Sequence, residues 1–504
     1  MADEIELKLA LPESAQRLLL RHPLLKRARS RDSGRLINLY YDTPSLDLHK
    51  AGIALRLRRK GGLWLQTVKC AGTSAAGLSS RPEWEGPYGG QFDFSAVDDD
   101  KVRRRLERYR ARGTLAPVFE TNFLRTTWQM VPQKGVVLLL ALDRGWTAAA
   151  GRREAISEIE IEIVAGDAPH VFELARHLAE TLPLAPAPLS KAERGYRLFG
   201  NTAATPVKAG DVRLDADLAP LEGFRRIALA CLDHLQRNHE GAATHDDPEY
   251  IHQMRVATRR LRAALRLFRP LLPPELEAAL LPPLRERMAL LGAARDMDVL
   301  LGEIAAPVMN SLADEPRLAA LVGVVTERRH RQRLAAVHDL RSPRFGQFVL
   351  LAGDLLHRAP FDAPSPSGAE ASLAAFADAR IRKLRKKVLR LAQAAHTDDP
   401  ASLHALRIGI KRLRYALEFF APLARGKSLS KKLRRLAALQ DTLGQINDLA
   451  NAGRLLMDCA REDNRLREAV TLIGGWHGPR HTELLAEVPK ELARLHRLKL
   501  PKFS

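Results

Sequence analysis

Glu4, Glu6 and Lys8 occupy alternate positions near the N-terminus, and Glu158, Glu160 and Glu162 do the same further along the chain. On an extended strand alternate side chains leave one face, about 7 Å apart. Arg56 and Arg58 share a face in this way, as do Glu83 and Glu85. One such strand reads as a solvated sheet face. Several in one small domain, carrying both signs of charge, point to the lining of a polar barrel. Carboxylates gathered there repel one another unless a cation joins them, and hard oxygen ligands suit Mg2+ or Mn2+. Gathered guanidinium and ammonium groups need an anion in the same way. A metal-bound phosphate chain satisfies both sets at once.

A second constellation has helical spacing. His252, Arg255, Arg259 and Arg262 fall at i, i+3, i+7 and i+10, a single stripe. His404, Arg407, Lys411 and Arg414 form the same stripe 152 residues later, with Arg260 and Arg412 matching inside the two motifs. Leu291-Gly292 with Asp296 matches Leu443-Gly444 with Asp448 at the same offset, so the register holds across two separated motifs. A helical unit is duplicated. Like charges at i, i+4 repel, so a row kept twice needs an anion, or the ion pairs that Asp296 and Asp448 can supply. The leading histidines suit phosphate contact better than a metal site of two ligands. Lys383, Lys387 and Arg390 make a further row and Lys431, Lys432, Arg434 and Arg435 a cluster. For these unrepeated rows a solvated helix face is the simpler reading.

The elements that must carry these groups follow from periodicity. Period-two alternation dominates residues 1–200, with charged surface helices expected at 98–112 and 170–181. Residues 201–220 lack periodicity and read as a linker. Residues 221–500 are Ala/Leu/Arg-rich with 3.6 periodicity and proline punctuation, in repeats of about 221–370 and 371–500. The fold class expected is two-domain α+β: an N-terminal antiparallel β barrel and a C-terminal all-α duplicated helical bundle.

Composition narrows the partners. The 504 residues carry a net charge of +21; residues 1–200 hold 31 basic and 24 acidic side chains, residues 201–504 hold 49 and 35. Most of the excess therefore sits in the helical half, and a polyanion is the natural partner. Aromatic residues make up 5%, too few for base-stacking platforms. Cys70, Cys231 and Cys459 show no disulfide or zinc spacing, which suits a reducing cytosol. The start Met1-Ala2-Asp3-Glu4 lacks the form of a signal peptide, and the apolar run Val136–Leu142 is too short to span a bilayer, so no membrane partner is expected.

Glu4-Ile-Glu6-Leu-Lys8 resembles the ExExK signature of the CYTH, or triphosphate tunnel metalloenzyme, superfamily. Tyr40-Tyr41-Asp42-Thr43, Ala51 to Arg58, Thr67-Val-Lys69, Arg81-Pro-Glu83-Trp-Glu85, Arg125, Asp143, Glu158 to Glu162 and Ser190-Lys191 with Arg194-Gly195-Tyr196 follow in the family's order. The resemblance implies an eight-stranded antiparallel tunnel over residues 1–200 that hydrolyses or cyclises triphosphates. It implies metal at Glu4, Glu6, Glu160 and Glu162, with Asp143 and Glu158 as helpers. Phosphate oxygens would meet Lys8, Arg56, Arg58, Lys69, Arg125, Lys191 and Arg194. Glu83 and Glu85 are candidates for the general base, with ion pairing to a tunnel arginine as the competing role; Asp42 reads as a turn or cap residue. Residues 215–500 resemble the CHAD domain, a conserved histidine alpha-helical domain. That resemblance implies polyphosphate binding and localisation to polyphosphate granules; Arg295 and Asp298 of the first repeat are Asn447 and Ala450 in the second.

The function expected is hydrolysis of inorganic tripolyphosphate in the cytoplasm, with long-chain polyphosphate held on the helical half. Three rivals stand: a polyphosphate-binding protein without turnover; a cyclase or hydrolase for a nucleotide, thiamine triphosphate or RNA 5′-triphosphate; and a nucleic-acid binder driven by charge alone. No specific nucleic acid is expected.

Overall fold

The computed structural model describes residues 4–358, 372–424, 429–461 and 463–503, and the chain divides into two units. Residues 4–207 make up most of the first, with 236–241 and 340–358 added to it; the described residues of 208–235, 242–339 and 372 onward form the second.

The first unit is one antiparallel sheet. Its strands are β1 (Glu4–Ala10), β2 (Ser30–Asp42), β3 (Ile53–Lys60), β4 (Leu63–Cys70), β5 (Thr73–Ala75), β6 (Leu78–Arg81), β7 (Glu83–Pro87), β8 (Ala116–Met130), β9 (Val137–Ala149), β10 (Arg152–Ala165) and β11 (Ala185–Pro186). The order β6-β1-β10-β9-β8-β2-β3-β4-β7 runs around a nearly closed barrel, with β5 outside β6 and β11 beside β1. β6 and β7 are separated by Pro82 alone, so the chain that pairs with β1 through Arg81 goes on to pair with β4 from Glu83. Proline has no N–H to donate, and the partner switch falls where a ladder bond is lost anyway. With β6 and β7 counted as one bent strand, the barrel has the eight strands expected.

Alternation sets the two faces. Leu7, Leu9, Ile159 and Ile161 point out of the barrel and are fully buried. Ile53, Leu55, Leu57, Val68 and Trp84 form an outer cluster with Leu106. The charged residues between them point inward.

Short helices α1 (Gln16–Leu20) and α2 (Asp47–Lys50) lie in the loops after β1 and β2; α3 (Asp100–Ala111), α4 (Ala168–Ala179) and α5 (Lys191–Phe199) are longer. α3 and α4 start and end within two residues of the helices read from periodicity. The Asp99 carboxylate caps α3 by accepting from the Lys101 and Val102 amides. Asp42, fully buried, accepts from the Thr43, Leu48 and His49 amides and the Tyr196 hydroxyl, tying β2 and α2 to α5.

The helical half of the sequence contains α6 (Pro220–Arg237), α7 (His239–Thr244), α8 (Pro248–Phe268), α9 (Pro274–Val299), α10 (Ala306–Ser311), α11 (Pro316–Arg341), α12 (Pro343–Arg358), α13 (Leu373–Gln393), α14 (Pro400–Phe419), α15 (Leu429–Ala460) and α16 (Asn464–His496). Periodicity did not foresee that α12 belongs to the first unit, where it packs on α4 and β11. Two glycines allow it. A Cβ at Gly346 would meet the Leu184 carbonyl oxygen at 1.7 Å, and one at Gly353 would meet the Phe172 ring at 2.4 Å. Asp354, 1% exposed, pairs with Arg176 of α4 and with Arg358 at 3.1 Å.

In the second unit the duplication extends into the helix caps. Asp247 and Asp399 both accept from the amide two residues on, with Pro248 and Pro400 at the first helical position. α8 packs against α14, and each packs against the helix that carries its Leu-Gly-x3-Asp motif, α9 or α15. The equivalent residues Phe268 and Phe420 meet across the repeats with ring centroids 5.9 Å apart. The repeats differ after the second motif: α9 runs into a π-helical turn at Leu300–Ala305, whereas α15 continues unbroken.

Candidate functional site

The barrel interior is a cavity of about 320 Å³. Glu4, Glu6 and Lys8 from β1, Arg56 and Arg58 from β3, Lys69 from β4 and Arg125 from β8 line it. Glu83 and Glu85 from β7, Glu160 and Glu162 from β10 and Lys191 complete the charged wall. Strand register sets opposite charges across from one another at Lys8 and Glu160, Lys69 and Glu83, and Arg125 and Asp143, and sets two carboxylates across from one another at Glu6 and Glu162.

The carboxylates fall into two groups. Asp143, Glu158 and Glu160 bring ligand oxygens within 4.8 Å of one another, a spacing that can hold a metal ion. A cation of the chain already sits there. The Lys191 ammonium is 2.6 Å from Asp143 and 2.9 Å from Glu160 and also pairs with Glu158. Arg125 adds a two-point contact to Asp143 at 2.6 and 2.7 Å and pairs with Glu160, while Arg194 pairs with Glu158. Burial opposes ionisation of Glu160, but Lys191 and Arg125 hold it well below the usual carboxylate range. Burial likewise opposes the charge on Lys191, and the three acids win, raising it. Asp143, Glu158 and Arg194 do not line the cavity. They stand behind its wall and hold Lys191 and Arg125 in place. The capping box of α5, in which Ser190 and Glu193 exchange hydrogen bonds of 2.8 and 3.1 Å, launches Lys191 into this position.

Glu4, Glu6 and Glu162 form the other group. Glu6 pairs with Lys8 at 2.7 Å and Glu4 with Lys69, whereas Glu162 has no ion pair among the described residues. Burial, with Glu4 and Glu6 close by, pushes its carboxyl up to about 7. Carboxylate oxygens are the donors a hard divalent cation takes, and Glu162 is the acid of this group that no ion pair among the described residues compensates.

Arg56, Arg58 and Arg125 line the same cavity. Burial, with Arg56 and Arg125 nearby, lowers Arg58 to about 10, the mark of a cation short of counter-charge. Glu83 is clamped between Lys69 at 2.7 Å and Arg56 at 3.3 Å and kept below its ordinary value despite its burial. Glu85 is looser, 3.7–3.8 Å from Arg58 and Arg56, and accepts from the Thr67 hydroxyl at 2.9 Å. Sequence reasoning missed Tyr40 and Arg81, which also line the cavity. Tyr40 stacks on Phe119, and Arg56 draws its phenol down against the effect of burial. Its place two residues from Asn38 and Asp42 on an alternating strand was the available signal.

In the second unit α8 and α14 bring the two stripes onto one cavity of about 410 Å³. His252, Arg255 and Arg259 meet His404, Arg407 and Lys411 there. Arg255 pairs with Asp296 at 3.4 Å and Arg407 with Asp448 at 3.5 Å, so the ion-pair reading holds for one cation of each row. Arg259 donates to the Tyr415 hydroxyl, and Lys411 has no acidic partner among the described residues. His252 is lowered by burial and by Arg295, Arg259 and Arg255. His404 lies 2.7 Å from the Asn447 side-chain oxygen, so the Arg295-to-Asn447 change alters what the histidine meets. Arg260 and Arg414 share Glu418 at 3.1 and 3.2 Å and lie off this cavity. Lys383, Lys387 and Arg390 are exposed on α13 and do not line it either.

A family model described as CYTH domain matches residues 2–196, and one described as CHAD domain matches residues 226–457. An inorganic triphosphatase of Haemophilus influenzae is 31% identical over 199 residues, 39% of this chain and 55% of that protein. The match thus spans about half the relative's length. An uncharacterized protein of Mycobacterium tuberculosis is 27% identical over 402 residues, covering 75% of this chain and 74% of the relative. The crystal structure of the CHAD domain from the plant Ricinus communis is 37% identical, with a TM-score of 0.53, and covers 60% of this chain and 100% of that one.

Proposed function

We propose, for a chain that carries a CYTH domain at residues 2–196 followed by a CHAD domain at 226–457, that the barrel hydrolyses inorganic tripolyphosphate and the helical unit binds long-chain polyphosphate. The observation that carries the first part is the barrel cavity itself, lined by six glutamates together with Lys8, Arg56, Arg58, Lys69, Arg81, Arg125 and Lys191, with Glu162 among the acids left without an ion pair among the described residues. The relative named inorganic triphosphatase supports it.

Glu4, Glu6 and Glu162, with Glu160 beside them, would hold Mg2+ or Mn2+. The metal, when bound, supplies Lewis acidity at phosphate oxygens and a water of lowered pKa. The chain's own residues position the substrate. Lys8 and Lys69 sit on Glu6 and Glu4; with those acids engaged by a cation, their ammonium groups would be free to bind the phosphates. Arg56, Arg58 and Arg125 hold the remaining oxygens and spread the charge that develops on the leaving group. Lys191 stays anchored by three acids, a fixed cation rather than a mobile one. Clamped as it is, Glu83 serves to position Lys69 and Arg56. Of the two candidates for the base, Glu85 is the one with freedom to act.

For the second unit, the cations of both repeats converge on one cavity, and a polyanion offsets their mutual repulsion.

The test is phosphate release from tripolyphosphate, pyrophosphate, ATP and long-chain polyphosphate with Mg2+, Mn2+ or EDTA. A Glu4→Gln/Glu6→Gln variant runs alongside. Metal-dependent release from tripolyphosphate, lost in the variant, is expected. Release that survives in the variant would refute the assignment to this cavity.

A further inference from the structure

A second cavity of about 460 Å³ opens on α8 and α14 and is also walled by α13 and by Met288 of α9. It shares Arg255, Arg259, His404, Arg407 and Lys411 with the first. The two cavities differ in chemistry. Asp296, Asp448 and Glu303 line the first, whereas among the described residues no carboxylate or amide side chain lines the second. Its further cations are Arg262, Arg266, Arg380 and Arg412. Arg262, Arg266 and Arg412 have no acidic partner within 4 Å among the described residues; burial and the nearness of Arg266 lower both Arg262 and Arg412. The Nε atoms of Arg255 and Arg407, buried in the shared wall, have no hydrogen-bond partner among the described residues. The rest of the lining is apolar: Leu267, Met288, Leu384, Ile408, Tyr415 and Phe419. Ile408 is 36% exposed, an aliphatic side chain left in water beside a cluster of guanidinium groups.

An inorganic phosphate chain has nothing to place against such an apolar wall. Resting on the reading of this unit as a phosphate binder, we propose that the cleft binds a nucleoside polyphosphate, phosphates on the shared cations and base between the aliphatic wall and the arginine planes. Arginine guanidinium groups stack on flat rings, and apolar contact favours a base over water. Volume fits, since small-molecule sites span about 300–1,000 Å³. No acid or amide is present to read a base edge, so adenine and guanine are bound alike. Because five residues serve both cavities, nucleotide and polyphosphate compete.

The experiment is equilibrium dialysis of ATP, GTP and tripolyphosphate against the full chain in EDTA. A Glu4→Gln/Glu6→Gln background prevents turnover. ATP and GTP should bind equally and roughly tenfold more tightly than tripolyphosphate, the gain from burying a modest patch of base. Ile408→Ser should remove that advantage and leave tripolyphosphate unchanged; Arg412→Gln should weaken both nucleotides. Neither residue lines the barrel cavity, so any nucleotide held there is unaffected. Nucleotides whose binding ignores both Ile408→Ser and Arg412→Gln overturn the proposal. If long-chain polyphosphate still binds in that case, the cleft assignment alone fails. If polyphosphate does not bind either, the reading of the whole unit fails with it.

Discussion

Lys191 illustrates how one side chain can decide what its neighbours do. Three carboxylates in the spacing of a metal site form, with an ammonium among them, an ionic cluster in and behind the wall of the barrel cavity. Removing one partner of a buried ionic cluster strands the rest. Lys191→Met should destabilise the barrel by about 3–5 kcal/mol, read from urea unfolding; a loss below 1 kcal/mol would mean Arg125 and Arg194 suffice. Glu160 contributes in the same cluster with a depressed carboxyl, so its share is present above its unfolded value and lost as pH falls through the folded one. Glu162 has the opposite shift. With a folded value near 7, it holds a proton at mildly acid pH that a metal must displace. Mn2+ affinity should therefore rise from pH 6 to 8 and level off, and Glu162→Gln should flatten the profile. The glutamate and arginine positions could be read from alternation; the pairing of Lys191 with Asp143 could not, because it joins residues 48 positions apart through a helix cap.

At the level of elements, α12 matters most to the barrel. It presses on Leu184 and Ala185, next to β11, which pairs with the strand carrying Glu4, Glu6 and Lys8. Gly346→Ala should cost about 1–3 kcal/mol through overpacking against backbone that cannot yield and should lower tripolyphosphate turnover. Unchanged thermal unfolding and turnover would show that α12 is dispensable to the barrel. The paired helices α8 and α14 support a second prediction. Burial, with Arg407, Arg259 and Arg255 close by, pushes Lys411 down to about 7. A lysine lowered on folding costs stability below that value, and the cost fades as pH rises toward its unfolded value. A bound polyanion restores the proton. Polyphosphate affinity should fall as pH rises from 6 to 8, whereas Lys411→Arg should stay level across that range.

For the whole molecule, the excess of +21 is concentrated in the helical half of the sequence. Polyphosphate binding should weaken steeply as salt rises from 50 to 500 mM, because the Debye length shrinks from roughly 14 to 4 Å. Binding that ignores salt would point to apolar contact instead. The first unit is not contiguous in sequence: it takes 340–358 from beyond most of the first helical repeat. A fragment of residues 1–207 should unfold at lower temperature than the barrel in the full chain, since the α4 face covered by α12 is then exposed.

Local pattern was enough to read a strand-built half and a helical half, the alternating charges of β1, β3 and β10, α3, α4 and the duplicated stripes, because period two and period 3.6 are written into neighbouring residues. Resemblance to known families extended that reading to roles. Three things needed the folded chain. The partner switch at Pro82 closes the barrel, Lys191 converts an apparent metal cluster into a fixed cation, and α12 crosses from the helical half to the barrel. Each depends on contacts between residues far apart in sequence, whose geometry no periodicity encodes. The same holds for the acid-free cleft. Arg255, Arg259, Arg262 and Arg407 were visible in the stripes, but Arg266 and Arg380 were not singled out, and the apolar wall beside them comes from four helices that meet only on folding.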